Sequence, residues 1–449
     1  MTAAQPASVL TLSVIGVGYL GAVHAAAMAE LGHQVIGLDI DAERIASLNE
    51  GRAPFHEPGF EEVLRRNVDA GRLRFTTDYA DLADADVHFL ALGTPQRADG
   101  LGADLSYIES ALDALVPLLK ARGGKPTLIA GKSTVPVGTA RELHARITTI
   151  DGVALAWNPE FLREGFAVED TLRPDRLVYG VADQGNASAE ISLLDAVYAE
   201  LIDLDIPRKV YNFESAELVK VSANSFLATK ISFINAISEL CDVTGADVTD
   251  VAEAIGMDDR IGSKFLRAGI GFGGGCLPKD IRGLLSRAGE LGAVDSFAFL
   301  RDIDAINTGR REYVVRLAKR LLDGTLDGKR VAVLGAAFKP DTDDVRDSPA
   351  LDIALKLYSE GAKVSITDPA ANENVRRRYP SFHVEDSVED TLRDAELVLL
   401  LTEWKEYREL DPASVLDLVA TAQIIDGRNA LDLAAWRAAG WQVEALGRP

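Results

Sequence analysis

Leu12-Ser13-Val14-Ile15-Gly16-Val17-Gly18-Tyr19-Leu20-Gly21 is a short apolar run that closes on glycines spaced G-x-G-x-x-G. The run reads as a buried strand and the glycines as a turn into a helix. Alone, that spacing is a weak signal. Here a second apolar run, Gly32-His33-Gln34-Val35-Ile36-Gly37-Leu38-Asp39, ends in an acid 18 residues beyond Gly21. Strand, glycine turn, helix, strand and acid in that order form a dinucleotide fingerprint. Gly16 allows the tight turn, Gly18 lets a pyrophosphate reach the backbone, and Gly21 lets the helix pack on the sheet. Tyr19 and Leu20 open the helix whose amide end faces the phosphates. Asp39 is the candidate partner of the adenosine ribose hydroxyls. Its charge repels a 2′-phosphate, so the expected cofactor is NAD rather than NADP. Arg44 lies close by, works in the opposite sense, and joins the cofactor-site candidates.

The opening pattern returns near the other end of the chain. Val331-Ala332-Val333-Leu334-Gly335 echoes the first strand, Gly361-Ala362-Lys363-Val364-Ser365-Ile366-Thr367-Asp368 the second, and Ala395-Glu396-Leu397-Val398-Leu399-Leu400 matches Ala85-Asp86-Val87-His88-Phe89-Leu90. Strands that alternate with helical patterns give parallel, doubly wound sheets. The expected fold is therefore α/β, with two Rossmann-like domains. Between them, Phe213 to Cys241 holds no proline or glycine, and Leu218, Val221, Phe226, Ile231, Ile234 and Ile237 recur at helical spacing. That predicts a helix of 29 residues, capped by Asn212 or Ser215. Asp323-Gly324-Thr325-Leu326-Asp327-Gly328 reads as a linker. The expected domains are 1–207 for NAD, 208–322 as a central helical part that also joins subunits into a homodimer or larger homo-oligomer, and 323–449.

The 449 residues are 47% hydrophobic and 26% charged, an ordinary globular balance. No apolar run is long enough to span a bilayer, and Met1 to Ser8 carry neither a basic cluster nor a signal-type core. Two cysteines make no disulfide framework, so a reducing cytoplasm is expected. A net charge of -22 argues against nucleic acid as a partner. It also requires local cations wherever an anionic ligand binds. No metal site is expected.

Gly269-Ile270-Gly271-Phe272-Gly273-Gly274-Gly275-Cys276-Leu277-Pro278-Lys279-Asp280 is the reactive-looking stretch. Such dense glycine admits close ligand approach, and Pro278 suits a first helical turn. Cys276 would then sit at a helix N-terminus, where the dipole and Lys279 favour a thiolate and hence a nucleophile. Cys241, late on an apolar helix face, reads as core. Lys220 and Asn224 lie four apart on one face of the long helix, as a reactive pair or a solvated stripe. Lys132-Ser133-Thr134-Val135-Pro136-Val137-Gly138 and Asn158-Pro159-Glu160-Phe161-Leu162-Arg163-Glu164-Gly165 each follow an apolar strand, where the active loops of open sheets lie. The second glycine turn, Gly335-Ala336-Ala337-Phe338-Lys339, has lost its pattern. Lys339 and Arg346 there meet the phosphates of a different nucleotide or are ordinary surface charges.

Taken together, GVGYLG, KSTVPVGT, NPEFLREG, ELVKVSANSFLATKISFINAISE, GFGGGCLPKD and AAFKPDTDDVRDSP closely resemble the UDP-glucose 6-dehydrogenase family, within the wider group of UDP-glucose and GDP-mannose dehydrogenases. The resemblance runs from Leu12 to about Leu433. It implies an N-terminal NAD domain, a central dimerisation domain and a C-terminal nucleotide-sugar domain. It implies Cys276 as nucleophile; Lys220, Asn224 and Asp280 as residues that position water and stabilise oxyanions; and Thr134 and Glu160 in water and acid–base work. Thr94, Thr134, Glu164, Lys279 and Arg346 are implied as cofactor contacts. Glu160, Phe161, Leu162, Lys220, Asn224, Arg260, Lys264, Arg267, Gly273, Lys339 and Arg428 are implied as substrate contacts. The implied reaction takes UDP-glucose to UDP-glucuronate by two hydride transfers to NAD, through a Cys276 thiohemiacetal and thioester. Competing expectations are GDP-mannose or UDP-N-acetylmannosamine as substrate, a two-domain 3-hydroxyacid dehydrogenase with a catalytic lysine alone, and a non-enzymatic NAD-binding redox sensor.

Overall fold

The computed structural model describes residues 9–449. The expectation about Met1–Ser8 lies outside them. The chain folds as two compact units, the first ending at Ala223 and the second beginning at Asn224.

The first unit is built on an eight-stranded sheet. In chain order its strands are β1 (Thr11–Ile15), β2 (Gln34–Leu38), β3 (Leu73–Thr76), β4 (Val87–Leu90), β5 (Thr127–Gly131), β6 (Val153–Trp157), β7 (Leu177–Val181) and β8 (Arg208–Asn212). In space they run β3-β2-β1-β4-β5-β6-β7-β8. The order reverses between β1 and β4, and it is there that an open sheet leaves a crevice for a nucleotide. β1, β2, β4 and β5 are buried on both faces along most of their length, which is why they read as continuous apolar runs rather than alternating ones. Leu12, Val14 and Phe89 face one helical layer. Ile15, Leu90 and Ile129 face the other.

One detail differs from the sequence expectation. The sheet is not wholly parallel: β7 pairs with β6 antiparallel, Trp157 opposite Gly180. The segment between them makes no crossover, so β7 starts at the end of the sheet where β6 stops. The last strand, β8, pairs parallel with β7.

The second unit holds a six-stranded sheet of β9 (Arg330–Leu334), β10 (Lys363–Thr367), β11 (His383–Val384), β12 (Leu397–Leu400), β13 (Gln423–Asp426) and β14 (Gln442–Ala445). Its order, β11-β10-β9-β12-β13-β14, repeats the reversal of the first sheet, and every pairing is parallel. The echo in the sequence is thus an echo in topology. Asp323–Gly328 is a turn, with Asp323, Gly324 and Gly328 at positive φ and Leu326 buried in the core.

The long helix spans Phe213–Thr244, 32 residues against the expected 29. Asn212 caps it, its Oδ1 accepting from the Ser215 amide at 2.9 Å. Nothing in Asp242-Val243-Thr244 breaks a helix. The stop comes at Gly245, which takes φ +81° and donates back to the Cys241 carbonyl.

Candidate active site

In the first unit Gly16 sits at φ +90°, a turn closed to most side chains. A Cβ on Gly21 would collide with the Gly16 carbonyl, so only glycine brings helix Tyr19–Glu30 this close to the turn. A Cβ on Gly18 would meet nothing, leaving its amide side open to a ligand. Among the described residues no side chain caps that helix. Its neighbours differ. Asp41 caps helix Ala42–Asn49 through the Arg44 amide. Glu217 accepts from the Gly138 and Ala140 amides, both at 2.7 Å, at the start of helix Thr139–Ile147. Glu57 accepts from Gly165 at 2.6 Å and Ala167 at 2.7 Å, at the start of helix Ala167–Leu172. Internal carboxylates therefore fill those amide ends, and the one behind the glycine turn stays available to a pyrophosphate.

Asp39 closes the cradle just past β2. Its carboxylate accepts from the Asp41 amide at 3.1 Å and from Arg44 Nη1 at 3.1 Å. The pair fits NAD: the acid can take ribose hydroxyls while Arg44 steadies it. Asp39→Asn should weaken NAD binding by roughly tenfold, the scale of a lost charge-assisted bond, and narrow the gap to NADP. Titration of both cofactors checks this, and a native enzyme that already prefers NADP would overturn it.

The carboxyl ends of β4, β5 and β6 carry the next candidates. Thr94 donates from Oγ1 to the Thr134 carbonyl at 2.7 Å, which joins the loops after β4 and β5. Glu160 accepts from Lys220 Nζ at 3.0 Å and from the Leu162 amide at 2.6 Å. Lys220 also stands 5.6 Å from the centre of the Phe161 ring, and Arg176 covers the same ring at 3.9 Å. Lys220 and Glu160 are both largely buried, so their charges meet in a medium where each matters. Half-buried Glu164 precedes Gly165, whose amide also donates to the Tyr19 hydroxyl at 3.0 Å. That hydroxyl in turn donates to Glu57. Burial, then Glu57, pushes the Tyr19 phenol well above its usual range, so it remains a donor. Glu57 thus ties the cofactor helix to the loop bearing Glu160 and Glu164, and Glu217 ties the long helix to the loop bearing Thr134. Each amide released from such a clamp would cost about 1–3 kcal/mol if left unpaired.

In the second unit Cys276 is exposed and stands at the N-cap position of helix Leu277–Glu290, with Pro278 in the first turn. Cys241 is the opposite case: it is buried, and burial, then Asp242, raises its thiol above the usual value. Arms from four sides hold the glycine-rich loop. Asn235 Oδ1 accepts from the Gly269 amide at 2.8 Å, and Arg310 Nε donates to the Gly269 carbonyl at 3.0 Å. Asn307 grips Phe272 at both its amide and its carbonyl. Gly274 donates to the Arg346 carbonyl at 3.0 Å. A side chain on Gly273 would strike the Asp347 carbonyl, and one on Gly275 the Arg346 guanidinium. Arg346 therefore lies over the residue before Cys276 and pairs with Asp344 at 2.7 Å. Buried Asp280 accepts from Asn224 Nδ2 at 2.6 Å and from Lys279 Nζ at 2.7 Å, so Asn224, Asp280 and Lys279 form one linked group.

Other substrate candidates fall in different surroundings. Arg260, Lys264 and Arg267 are exposed on the segment after helix Val248–Gly256, where Arg260 pairs with Asp258 and Arg267 faces Glu403 at 4.0 Å. Lys230 holds that segment through the Ile261 and Gly262 carbonyls. Arg428 donates to the Leu401, Gly271 and Phe338 carbonyls, which joins the glycine-rich loop to the turn carrying Lys339. Lys339 is half-buried beside the Phe338 ring. Asp368, the echo of Asp39, spends its carboxylate internally on the Ala336 and Ala337 amides and the Trp404 indole. The second turn therefore cannot repeat the dinucleotide cradle. Sequence reasoning missed Glu57, Glu217, Asn235, Asn307 and Arg310. Only Glu57 had a local hint, in His56-Glu57-Pro58-Gly59, and that signals no more than a turn. Among the described residues no cluster of metal-ligating side chains occurs.

Residues 10–202 match the NAD binding domain of the UDP-glucose/GDP-mannose dehydrogenase family, 214–309 its central domain, and 332–433 its UDP binding domain. A UDP-glucose 6-dehydrogenase from Pseudomonas aeruginosa is 40% identical over 454 residues, with 98% of each chain covered. A UDP-glucose dehydrogenase from the hyperthermophilic archaeon Pyrobaculum islandicum superposes with a TM-score of 0.90 at 38% identity, covering 99% of each chain. A UDP-D-ManNAc dehydrogenase from Pyrococcus horikoshii gives 0.84 at 26% identity, covering 98% of this chain and 99% of that one.

Proposed function

The chain belongs to the UDP-glucose/GDP-mannose dehydrogenase family, and we propose that it oxidises UDP-glucose to UDP-glucuronate with two NAD per turnover. The observation that carries the reading is the near-full-length likeness, 38–40%, to enzymes named for UDP-glucose, against 26% to one named for UDP-D-ManNAc. The three-part division at 207/208 and 322/323 is kept as part of the proposal.

NAD supplies the hydride acceptor. The chain's residues handle the protons and the carbonyl. In the first oxidation the C6 hydroxyl loses its proton and its carbon a hydride, giving an aldehyde. The Cys276 sulfur adds to that carbonyl and forms a thiohemiacetal, which keeps the aldehyde from escaping. The thiohemiacetal hydroxyl then gives up its proton as a second hydride leaves from the same carbon, which yields a thioester. Water adds, the C–S bond breaks, and the carboxylate departs with the thiol restored. Each alkoxide or tetrahedral oxygen needs a fixed cation or donor, the role proposed for Lys220 and Asn224. Glu160 and Asp280 are proposed to take and return protons, with Thr134 holding the attacking water. Thr94, Glu164, Lys279 and Arg346 are proposed to contact the cofactor. Phe161, Leu162, Gly273, Arg260, Lys264, Arg267, Lys339 and Arg428 are proposed to contact the nucleotide sugar, and the cations among them offset the chain's negative charge.

The test is stoichiometry. Purified enzyme should form two NADH per UDP-glucose and release the carboxylate. One NADH with free aldehyde would overturn the covalent route. Turnover only with UDP-N-acetylmannosamine or GDP-mannose would overturn the sugar assignment.

We also propose a homodimer, in the cytoplasm where NAD and free thiols coexist. Phe226, Phe233 and Leu240 recur every seven residues on the long helix and are each at least half exposed. A row of that spacing and size is what a second helix covers. Sedimentation should show a dimer as the smallest active species, and a dilute, folded, fully active monomer would contradict it.

A further inference from the structure

Behind the Glu160 loop lies a buried cation that the mechanism does not use. Lys132 is 6% exposed and follows β5 directly. Its Nζ donates to Asn158 Oδ1 at 3.1 Å and to the Tyr198 hydroxyl at 3.3 Å. Tyr198 donates to the same Asn158 oxygen at 2.7 Å, and Asn158 Nδ2 donates to the Val178 carbonyl at 2.9 Å. The Asn158 amide donates to the Gly131 carbonyl at 2.7 Å. Lys132 and Asn158 therefore extend the β5–β6 pairing one step past the strand ends. Two residues beyond Lys132 is Thr134, and two beyond Asn158 is Glu160. A cavity of about 40 Å³ adjoins this triad, and Lys132, Asn158, Glu160, Phe161 and Tyr198 share its wall with His24. His24 Nε2 is buried and has no partner.

A buried ammonium is costly unless it is hydrogen-bonded or paired, and here Asn158 and Tyr198 hold it. We propose that Lys132 is a positioning residue: it fixes the loops carrying Thr134 and Glu160 to one another and adds a second buried cation, after Lys220, to the wall it shares with Glu160. The groups that face it are Glu160 from the loop after β6, Lys220 from the long helix, Tyr198, His24 from the cofactor helix, and Asp170 and Arg176 across the cavity. Burial, partly offset by Glu160 and reinforced by Lys220, lowers the lysine to about 8.

The inference rests on the dehydrogenase reading above. A wild type inactive toward all three nucleotide sugars defeats that reading, whereas an active wild type with an indifferent Lys132 variant defeats only this one. Lys132→Met should leave NAD affinity within threefold, lower kcat about 100-fold, and move the acidic limb of kcat upward by about one pH unit. The sign follows because loss of a cation favours the protonated carboxyl. Lys132→Arg, which keeps the charge, should return the limb toward its native position even where kcat stays low. A purely structural lysine would lower kcat without moving the limb, and that result, or a native Lys132→Met, overturns the proposal. Should Lys132→Met fail to fold, Tyr198→Phe decides. It removes one restraint but no charge, so kcat should fall several-fold with the limb in place. A Tyr198→Phe enzyme with native kcat, or with a moved limb, overturns the proposal.

Discussion

Replacement of Cys276 by serine is expected to lower steady-state turnover by at least about 1,000-fold, some 4 kcal/mol of barrier, while NAD and UDP-glucose still bind. The proposed mechanism asks the sulfur for a covalent bond and not for affinity. The thiol stands exposed at the N-cap position of helix Leu277–Glu290, on a loop that Asn235, Asn307, Arg310 and Arg428 hold from outside. The substitution should therefore leave the fold intact, which near-UV circular dichroism can check. Serine is the poorer nucleophile and leaving group, so an acyl-enzyme can form once and hydrolyse slowly. Rapid mixing should then show a single burst of NADH and little after it. Iodoacetate supplies an independent measure. It should label Cys276 far faster than buried Cys241, and UDP-glucose should protect the site. Near-native turnover in Cys276→Ser or Cys276→Ala would end the covalent mechanism and make the cysteine structural.

The fold was legible wherever its determinants are local. GVGYLG, its echo at Gly335 and the apolar strands each lie within a few residues, so a short window reveals them. The clamps on the active loops were not legible, because their partners are far apart in sequence. Glu57 reaches amides 108 and 110 residues away, and Glu217 reaches amides 79 and 77 residues away. A glutamate with a distant backbone partner looks in sequence like any solvated glutamate, whether on a helix as Glu217 is or in a loop as Glu57 is. The same holds for Asn307, which grips Phe272 from 35 residues away. Lys132 shows the limit from the other side. It opens a motif that was singled out as reactive, yet only the structure shows its ammonium turned toward Asn158 and Tyr198. Arg428 was expected at the substrate, and its three guanidinium nitrogens all hold main-chain carbonyls. It shapes the loop before Cys276 whatever else it touches.

Lys220→Met should lower kcat by roughly 100- to 1,000-fold, the range seen when one preorganised oxyanion partner is lost, about 2.7–4 kcal/mol. The role proposed for the lysine rests on a buried charge. Its Nζ lies 3.0 Å from Glu160 Oε1, and both side chains are mostly buried. Methionine fills similar volume, so lost charge rather than lost packing should dominate. Stability should fall too, because Glu160 loses a buried partner. The melting temperature of the apoenzyme will show that separately from kcat. Arginine should not rescue activity fully, since a planar fork cannot reproduce a compact ammonium. A double-substitution cycle with Glu160→Gln then asks whether the two act as one unit. If they do, Glu160→Gln/Lys220→Met should be scarcely slower than the slower single variant, as with other residues that share one catalytic task. Strict additivity would assign them separate steps. A Lys220→Met enzyme that keeps more than a tenth of native kcat would remove the lysine from the chemistry and leave the ion pair as a strut between the long helix and the Glu160 loop.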